Sequence, residues 1–309
     1  MVLFHYIVMC LIFGTTFLAI KIGIDAGAAP FFSAGIRFFL AGVLLFGWMV
    51  WKKKASLSLL FRKEMLFTGI GLTFGTFATL YWAEQYVSSG IAAVLSATGP
   101  LMILLIQSRL TRQRLSRLSL SGCLIGSLGV ALLVLPGLTI GYDKWWVLGC
   151  IVILIGELFY ASGAVYSRRV IERFQHTSPI ALNAAQMLHG GLLLLILSLF
   201  TEQPHIGSQV ADPRALWSLL YLIVVGSMLG HTIFYWLVAK TNPVFPSTWL
   251  YISPLISLFL GAALYQEQLS LLSLTGGIAI LAGIVLINLK GLKKLIEKEP
   301  SAVRNAGHQ

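Results

Sequence analysis

The chain has 309 residues, 57% of them hydrophobic and 11% charged, with a mean hydropathy of +0.86, whereas soluble domains average roughly 45 to 50% apolar and about 25% charged. A single soluble domain is excluded, and a nucleic-acid partner is not expected, because the +11 net charge is scattered between apolar blocks and forms no continuous basic face. The apolar residues fall into ten blocks, each of about 18 to 25 residues, which is the length of a membrane-spanning helix.

In chain order the predicted spans are Val2 to Ile22, Pro30 to Trp51, Glu64 to Val87, Gly90 to Gln107, Leu118 to Leu135, Trp145 to Ser167, Pro179 to Phe200, Ala215 to Ala239, Val244 to Tyr265 and Leu271 to Leu289. The first has no basic leader and no small-residue cleavage site after it, so a removed signal peptide is not expected. Trp48, Trp51, Trp145, Trp146 and Trp217 fall at span ends, where interfacial anchors belong. Cys10, Cys123 and Cys150 lie inside apolar blocks with no CxxC and no metal-ligand spacing, so they read as small core residues, and neither a metal nor a cofactor is expected. Gly122, Gly126 and Gly129 in the fifth span, with Gly276, Gly277 and Gly283 in the tenth, predict close small-residue packing.

Basic residues give the orientation, because cytoplasmic loops carry the Lys/Arg excess. Of 22 Lys and Arg, 18 follow the even-numbered spans and only Lys21, Arg37, Lys144 and Arg214 lie elsewhere. Both termini are therefore expected in the cytoplasm, with 291–309 as a cytoplasmic tail.

The chain also repeats. An offset of 154 aligns Leu66 to Val134 with Leu220 to Asn288, 15 of 69 pairs being identical, among them Tyr81-Trp82 on Tyr235-Trp236, Pro100-Leu101 on Pro254-Leu255, Gly122 on Gly276 and Gly129 on Gly283. An offset of 147 to 149 lays Lys21 on Arg168 and Arg37 on Gln186. Each half then holds five spans, and an odd number per repeat inserts the second copy from the opposite side, as in secondary transporters. The fold expected is an all-α membrane protein of ten transmembrane helices, built as two inverted five-helix repeats over 1–137 and 145–290.

Several stretches resemble one family: Phe13-Gly14-Thr15-Thr16-Phe17-Leu18-Ala19-Ile20-Lys21, Arg37 with Ala41-Gly42, and Tyr86-Val87-Ser88-Ser89-Gly90-Ile91-Ala92-Ala93 leading to Pro100-Leu101. In the second half they are Ser253-Pro254-Leu255 and Glu267-Gln268-Leu269 running into Gly276-Gly277 and Ala282-Gly283. Their order, spacing and duplication resemble the drug/metabolite transporter superfamily, specifically its ten-helix permeases with two EamA-type halves. Phe13 replaces a tryptophan frequent in that family, and Gln113 replaces an acid that its repeat mate Glu267 retains. The resemblance implies an exporter of amino acids or similar small metabolites in the inner (plasma) membrane. Proton exchange and a homodimer are left open.

Candidate site residues come from the polar minority inside the spans. Lys21 and Arg37 lie within roughly 10 Å of the non-cytoplasmic end, at ~1.5 Å per residue, where they either snorkel to the interface or attract carboxylates at an outer vestibule. Pro100 and Pro254 interrupt matching helices at a depth of roughly 15 to 18 Å, as fixed kinks or as gating hinges. Glu157, near the midplane with Tyr160 on its face, suits a group that exchanges a proton or pairs a cationic substrate, or a carboxyl satisfied by a neighbouring helix. Asn183 and Gln186 share a face that reads as interhelical hydrogen bonding or as a substrate contact. Ser227, His231 and Tyr235 form one polar stripe, matched by Thr73, Phe77 and Tyr81 in the first half; His231 is either a titrating ligand or a satisfied core residue. The duplicated Tyr81-Trp82 and Tyr235-Trp236 pairs read as gates, cavity walls or belt residues, and Trp249 as cavity or packing.

No Walker A, GxSxG or HExxH motif occurs, so neither ATP-driven nor hydrolytic chemistry is expected. The leading expectation is alternating access for a small-molecule substrate within the lipid bilayer. Drug or organic-cation efflux, with Glu157 and the aromatics as a cation site, is the alternative, and a membrane enzyme or a channel fits the repeat and the prolines less well.

Overall fold

The structure, a computed structural model, describes residues 1–112, 117–118, 121–122, 124–126, 128–129, 132, 143–202, 212–241, 244–247, 249–266, 271–272, 274–283 and 285–286. Gln113, Cys123, Glu267, Gln268, Leu269, most of the linker before Asp143, the tail 291–309 and the side chains of Tyr251 and Pro254 lie outside the described residues. Among the described residues every regular element is helical. Seven helices are long and apolar enough to cross a membrane: α1 (Val2–Asp25), α2 (Pro30–Trp51), α3 (Lys63–Ala83), α4 (Ser89–Leu110), α5 (Lys144–Arg173), α6 (Pro179–Thr201) and α7 (Pro213–Lys240). A shorter apolar helix, α8 (Trp249–Tyr265), follows, and Leu274–Gly283 is another.

Local chemistry explains the ends. Pro30, Pro179 and Pro213 open α2, α6 and α7, since a first-turn N–H has no intrahelical partner to lose. Asp212 accepts from the Arg214 amide at 2.8 Å and pairs with its guanidinium, which holds the carboxyl below the usual carboxylate range. The residue before α2 is Ala29, which has no capping side chain, so Glu202 at the end of α6 reaches across instead. It accepts from Phe31 N at 2.8 Å and Phe32 N at 2.9 Å, while Ser198 donates to it at 2.7 Å. These bonds satisfy two of the orphan donors at the start of α2.

Helices α2 and α6 pack against each other along their length because Gly42 lies against the Leu188 backbone; a Cβ there would come within 2.8 Å of Leu188 N. The glycine surfaces predicted for the fifth and tenth spans also meet: a Cβ on Gly283 would lie 2.5 Å from the Gly122 carbonyl oxygen and 2.6 Å from Gly126 N. Outward faces carry Leu44, Trp51, Phe200, Trp217 and Phe259, all exposed, a surface suited to lipid and not to water. The helix ends are tied by ion pairs, Lys21 to Asp25 at 3.0 Å on α1 and Arg173 on α5 to Glu64 on α3 at 2.7 Å.

Three irregularities fall in the interior. Helices α3 and α7 widen to π-helical hydrogen bonding over Ile70–Gly75 and Leu222–His231, a feature often found at functional sites. Helix α4 breaks at Ala97 and Thr98 and restarts at Gly99 with Pro100 in its first turn. The matched Pro254 behaves differently, since α8 continues through it without a break. The two prolines align in sequence, but only Pro100 interrupts its helix.

Candidate functional site

A central cavity of about 50 Å³ is walled by α1, α2, α3, α4, α5, α7 and α8. Most of its wall is apolar: Phe13, Phe17, Leu72, Phe77, Leu80, Phe234 and Leu250. Into this wall the fold places one cation, Arg37, and one carboxyl, Glu157, together with Tyr160, His231, Tyr235 and Trp249. Small-molecule sites usually run to roughly 300 Å³ or more. In this conformation the cavity has room for only a few waters, at about 10 to 15 Å³ each.

Arg37 is 1% exposed. Its Nε donates to Ser227 Oγ at 2.8 Å and its Nη1 to the Tyr81 hydroxyl at 3.2 Å. The guanidinium carbon lies 4.6 Å from the Phe38 ring centre and 5.1 Å from that of Phe77. Gly226 makes room for Nη2, since a Cβ there would sit 3.0 Å from it. The side chain therefore points inward, so neither snorkelling nor an outer vestibule describes it. Lys21 does sit at the helix end, where it donates to the Glu84 carbonyl at 2.9 Å and pairs with Asp25.

Glu157 is 5% exposed and stands beside the Ser96 hydroxyl. Its Oε2 is buried without a hydrogen-bond partner among the described residues. It lies against the backbone of Gly99, where a side chain would collide with it, so the break before Pro100 is where α4 admits the carboxyl. Tyr160 donates to Ser247 Oγ at 3.3 Å and stands beside Trp249. Trp249 packs on Phe13 at 4.5 Å between ring centres. His231 has rings around it, Phe13 at 5.2 Å, Phe38 at 5.6 Å and Phe77 at 5.9 Å.

Other candidates lie off the cavity. Trp82 packs with Tyr86 at 5.1 Å and Trp145 at 6.3 Å, and Tyr86 stacks on Trp145, which together make a cluster between the ends of α3 and α5. Trp236 lies on His5 at 4.7 Å. The duplicated Tyr-Trp pairs thus split: Tyr81 and Tyr235 turn inward to Arg37 and the cavity, and the tryptophans turn away. Asn183 and Gln186 are buried but do not line the cavity; Gln186 Nε2 donates to Asn183 Oδ1 at 3.1 Å, and Thr73 donates to Gln186 Oε1 at 2.8 Å. Leu72, Thr76, Leu80 and Phe234 line the cavity without having been singled out in the sequence. Phe13, Thr16 and Phe17 at i, i+3 and i+4 were a readable signal for the α1 face.

The model of the EamA-like transporter family matches twice, over residues 1–135 and 147–289. Escherichia coli K12 has an uncharacterized inner membrane transporter, YedA, that is 30% identical over 286 residues, covering 90% of this chain and 88% of the relative. The uncharacterized transporter YoaV of Bacillus subtilis is 25% identical, covering 92% of this chain and 95% of the relative. One solved crystal structure shares the fold at a TM-score of 0.64 and 18% identity, covering 93% of this chain and 96% of the other. With both halves matched and a cavity at the centre of a membrane-spanning helical fold, the chain belongs to the EamA-like transporter family, and it is a transporter of the drug/metabolite superfamily and not an enzyme.

Proposed function

We propose that the protein exports amino acids or similar small metabolites across an inner (plasma) membrane by alternating access, with ten helices arranged as two inverted five-helix repeats over 1–137 and 145–290. Both termini, including the tail 291–309, are then cytoplasmic, as the distribution of basic residues suggests. The observation that carries the reading is the cavity that holds both Arg37 and Glu157. Charged groups inside a membrane mark a substrate path, and at about 50 Å³ this one must widen before a metabolite enters.

Repeat-matched contacts support the two-copy arrangement. Thr73 and Ser227 align at an offset of 154, and Arg37 and Gln186 at 149. The Thr73 to Gln186 bond and the Arg37 to Ser227 bond, each 2.8 Å, are thus equivalent contacts, each joining one copy to the other. Each hydroxyl comes from a π-helical segment, and that local irregularity is a natural place for a helix to shift register. Glu157 is the group we assign to proton exchange: one carboxyl holds either a proton or a cationic group, so loading one releases the other.

Labelled amino acids in counterflow across proteoliposomes test the proposal, with exchange above protein-free vesicles as the expected result. No exchange of any amino acid or metabolite, together with protection of cells from toxic cations, would favour organic-cation efflux. The aromatic walls and Glu157 support that second reading, whereas Arg37 in the same cavity would repel a simple cation.

A further inference from the structure

We infer that the cavity is a receptor for a zwitterion, Arg37 taking the carboxylate and Glu157 the ammonium group, and that the protein selects against molecules carrying only one of these charges. The inference rests on the transport reading above and narrows its substrate class.

The partners of Arg37 are all neutral: a serine hydroxyl, a tyrosine hydroxyl and two phenylalanine faces. Among the described residues no carboxylate lies within the 4.0 Å of an ion pair. Lys21, outside the cavity, already has its acid in Asp25. A guanidinium offers five donors in a planar fork that fits a carboxylate, and Ser227 and Tyr81 engage only Nε and Nη1. A cation this buried is costly without a counter-charge; the nearby buried carboxyl of Glu84 acts on Tyr81 but makes no ion pair with Arg37, so an anion entering the cavity would complete the site.

Glu157 is the converse case. It is buried, its Oε2 has no partner among the described residues, and no basic side chain pairs with it. The two groups come from α2 and α5, line one cavity and form no ion pair with each other. A guanidinium and a carboxyl set apart on one cavity match a molecule that carries both an anionic and a cationic group, and an α-amino acid is the smallest common one. The rest of the wall holds rings and aliphatic chains, Phe13, Phe77, Phe234 and Leu250, beside the neutral polar tips of Tyr160, Tyr235 and Trp249 and the imidazole of His231, and it adds no further carboxylate, lysine or arginine for a charged substrate side chain.

The test uses the full chain in proteoliposomes loaded with a mixture of the twenty L-amino acids, each labelled in turn outside. The fastest-exchanging one is then compared with its decarboxylated amine and its deaminated carboxylic acid, which keep the side chain and one charge each. Each single-charge analogue is expected to exchange at least about tenfold more slowly, because it leaves a polar group of the site unpaired. Arg37→Gln should lower amino-acid exchange and close the gap to the amine, and Glu157→Gln should close the gap to the carboxylic acid instead. A general loss of packing does not produce that crossed pattern. The analogue comparison needs only the unaltered protein, so it stands even where a variant fails to assemble. Equal exchange of the amino acid and its amine overturns the inference while leaving amino-acid transport in place. No exchange of any of the twenty overturns the transport reading itself.

Discussion

Two hydrogen-bonded stations, each joining one half of the chain to the other, match under the sequence repeat and differ in chemistry. At Thr73 and Gln186 a hydroxyl meets a neutral amide that also bonds Asn183, all three buried away from the cavity. At Ser227 and Arg37 the same relation carries a full charge, and the side chain faces the cavity. The same helix-to-helix contact is made once with a neutral amide and once with a guanidinium, so the identity of one residue decides whether a charge is buried there. A buried charge costs far more than a buried amide such as that of Gln186, whose oxygen and nitrogen are both bonded.

Breaking the charged station should have the largest effect. Arg37→Gln, which copies the residue of the neutral station, is expected to cut exchange of the preferred amino acid by about 30-fold or more, since losing a buried charge partner costs roughly 2 to 5 kcal/mol. Counterflow rates on variants matched for assembly give the number, and a change under about threefold would mean that Arg37 is only structural. Next comes Tyr81→Phe, which removes one acceptor from the guanidinium. A hydrogen bond to a charged group is worth about 1.5 to 3 kcal/mol, so transport affinity should fall roughly tenfold with assembly intact.

The neutral station should show the opposite split. Gln186→Leu is expected to lower thermal stability in detergent by about 0.6 to 2 kcal/mol while leaving the ranking of amino acid over amine unchanged; a changed ranking would show that both stations contact substrate. Glu202→Ala should cost about 1 kcal/mol, the scale of a lost helix cap, again without altering selectivity. Smallest of all, Trp82→Phe should change exchange by less than about twofold, because its cluster with Tyr86 and Trp145 lies away from the cavity and the aromatic packing is largely retained.

Much of this site was visible in the sequence one helix at a time. Glu157 stood out because an acid is rare in the middle of an apolar block, and the stripe of Ser227, His231 and Tyr235 followed from helical spacing. Arg37 was misplaced for a physical reason: counting rise along α2 fixes a depth but not whether the side chain bends outward to the interface or inward to Ser227. Trp82 and Trp236 were harder still, since neighbouring residues on a helix point about 100° apart and a duplicated pair gives no sign of which member faces inward. Pro100 and Pro254 share a position in the alignment, yet only the first follows a break that receives Glu157.

The sequence by itself determined that the chain lives in a bilayer, which stretches form its long apolar helices, and that it carries two related halves, because hydrophobic length, charge and self-similarity are all properties of the linear chain; helix ends such as Arg173, six residues past the predicted Ser167, were not fixed by it. Only the tertiary structure decided which buried polar groups share a space. Arg37 and Glu157 are 120 positions apart in the sequence and come together through the packing of α2, α3, α5 and α7, which is fixed by side-chain fit between helices and leaves no periodic trace along any one of them.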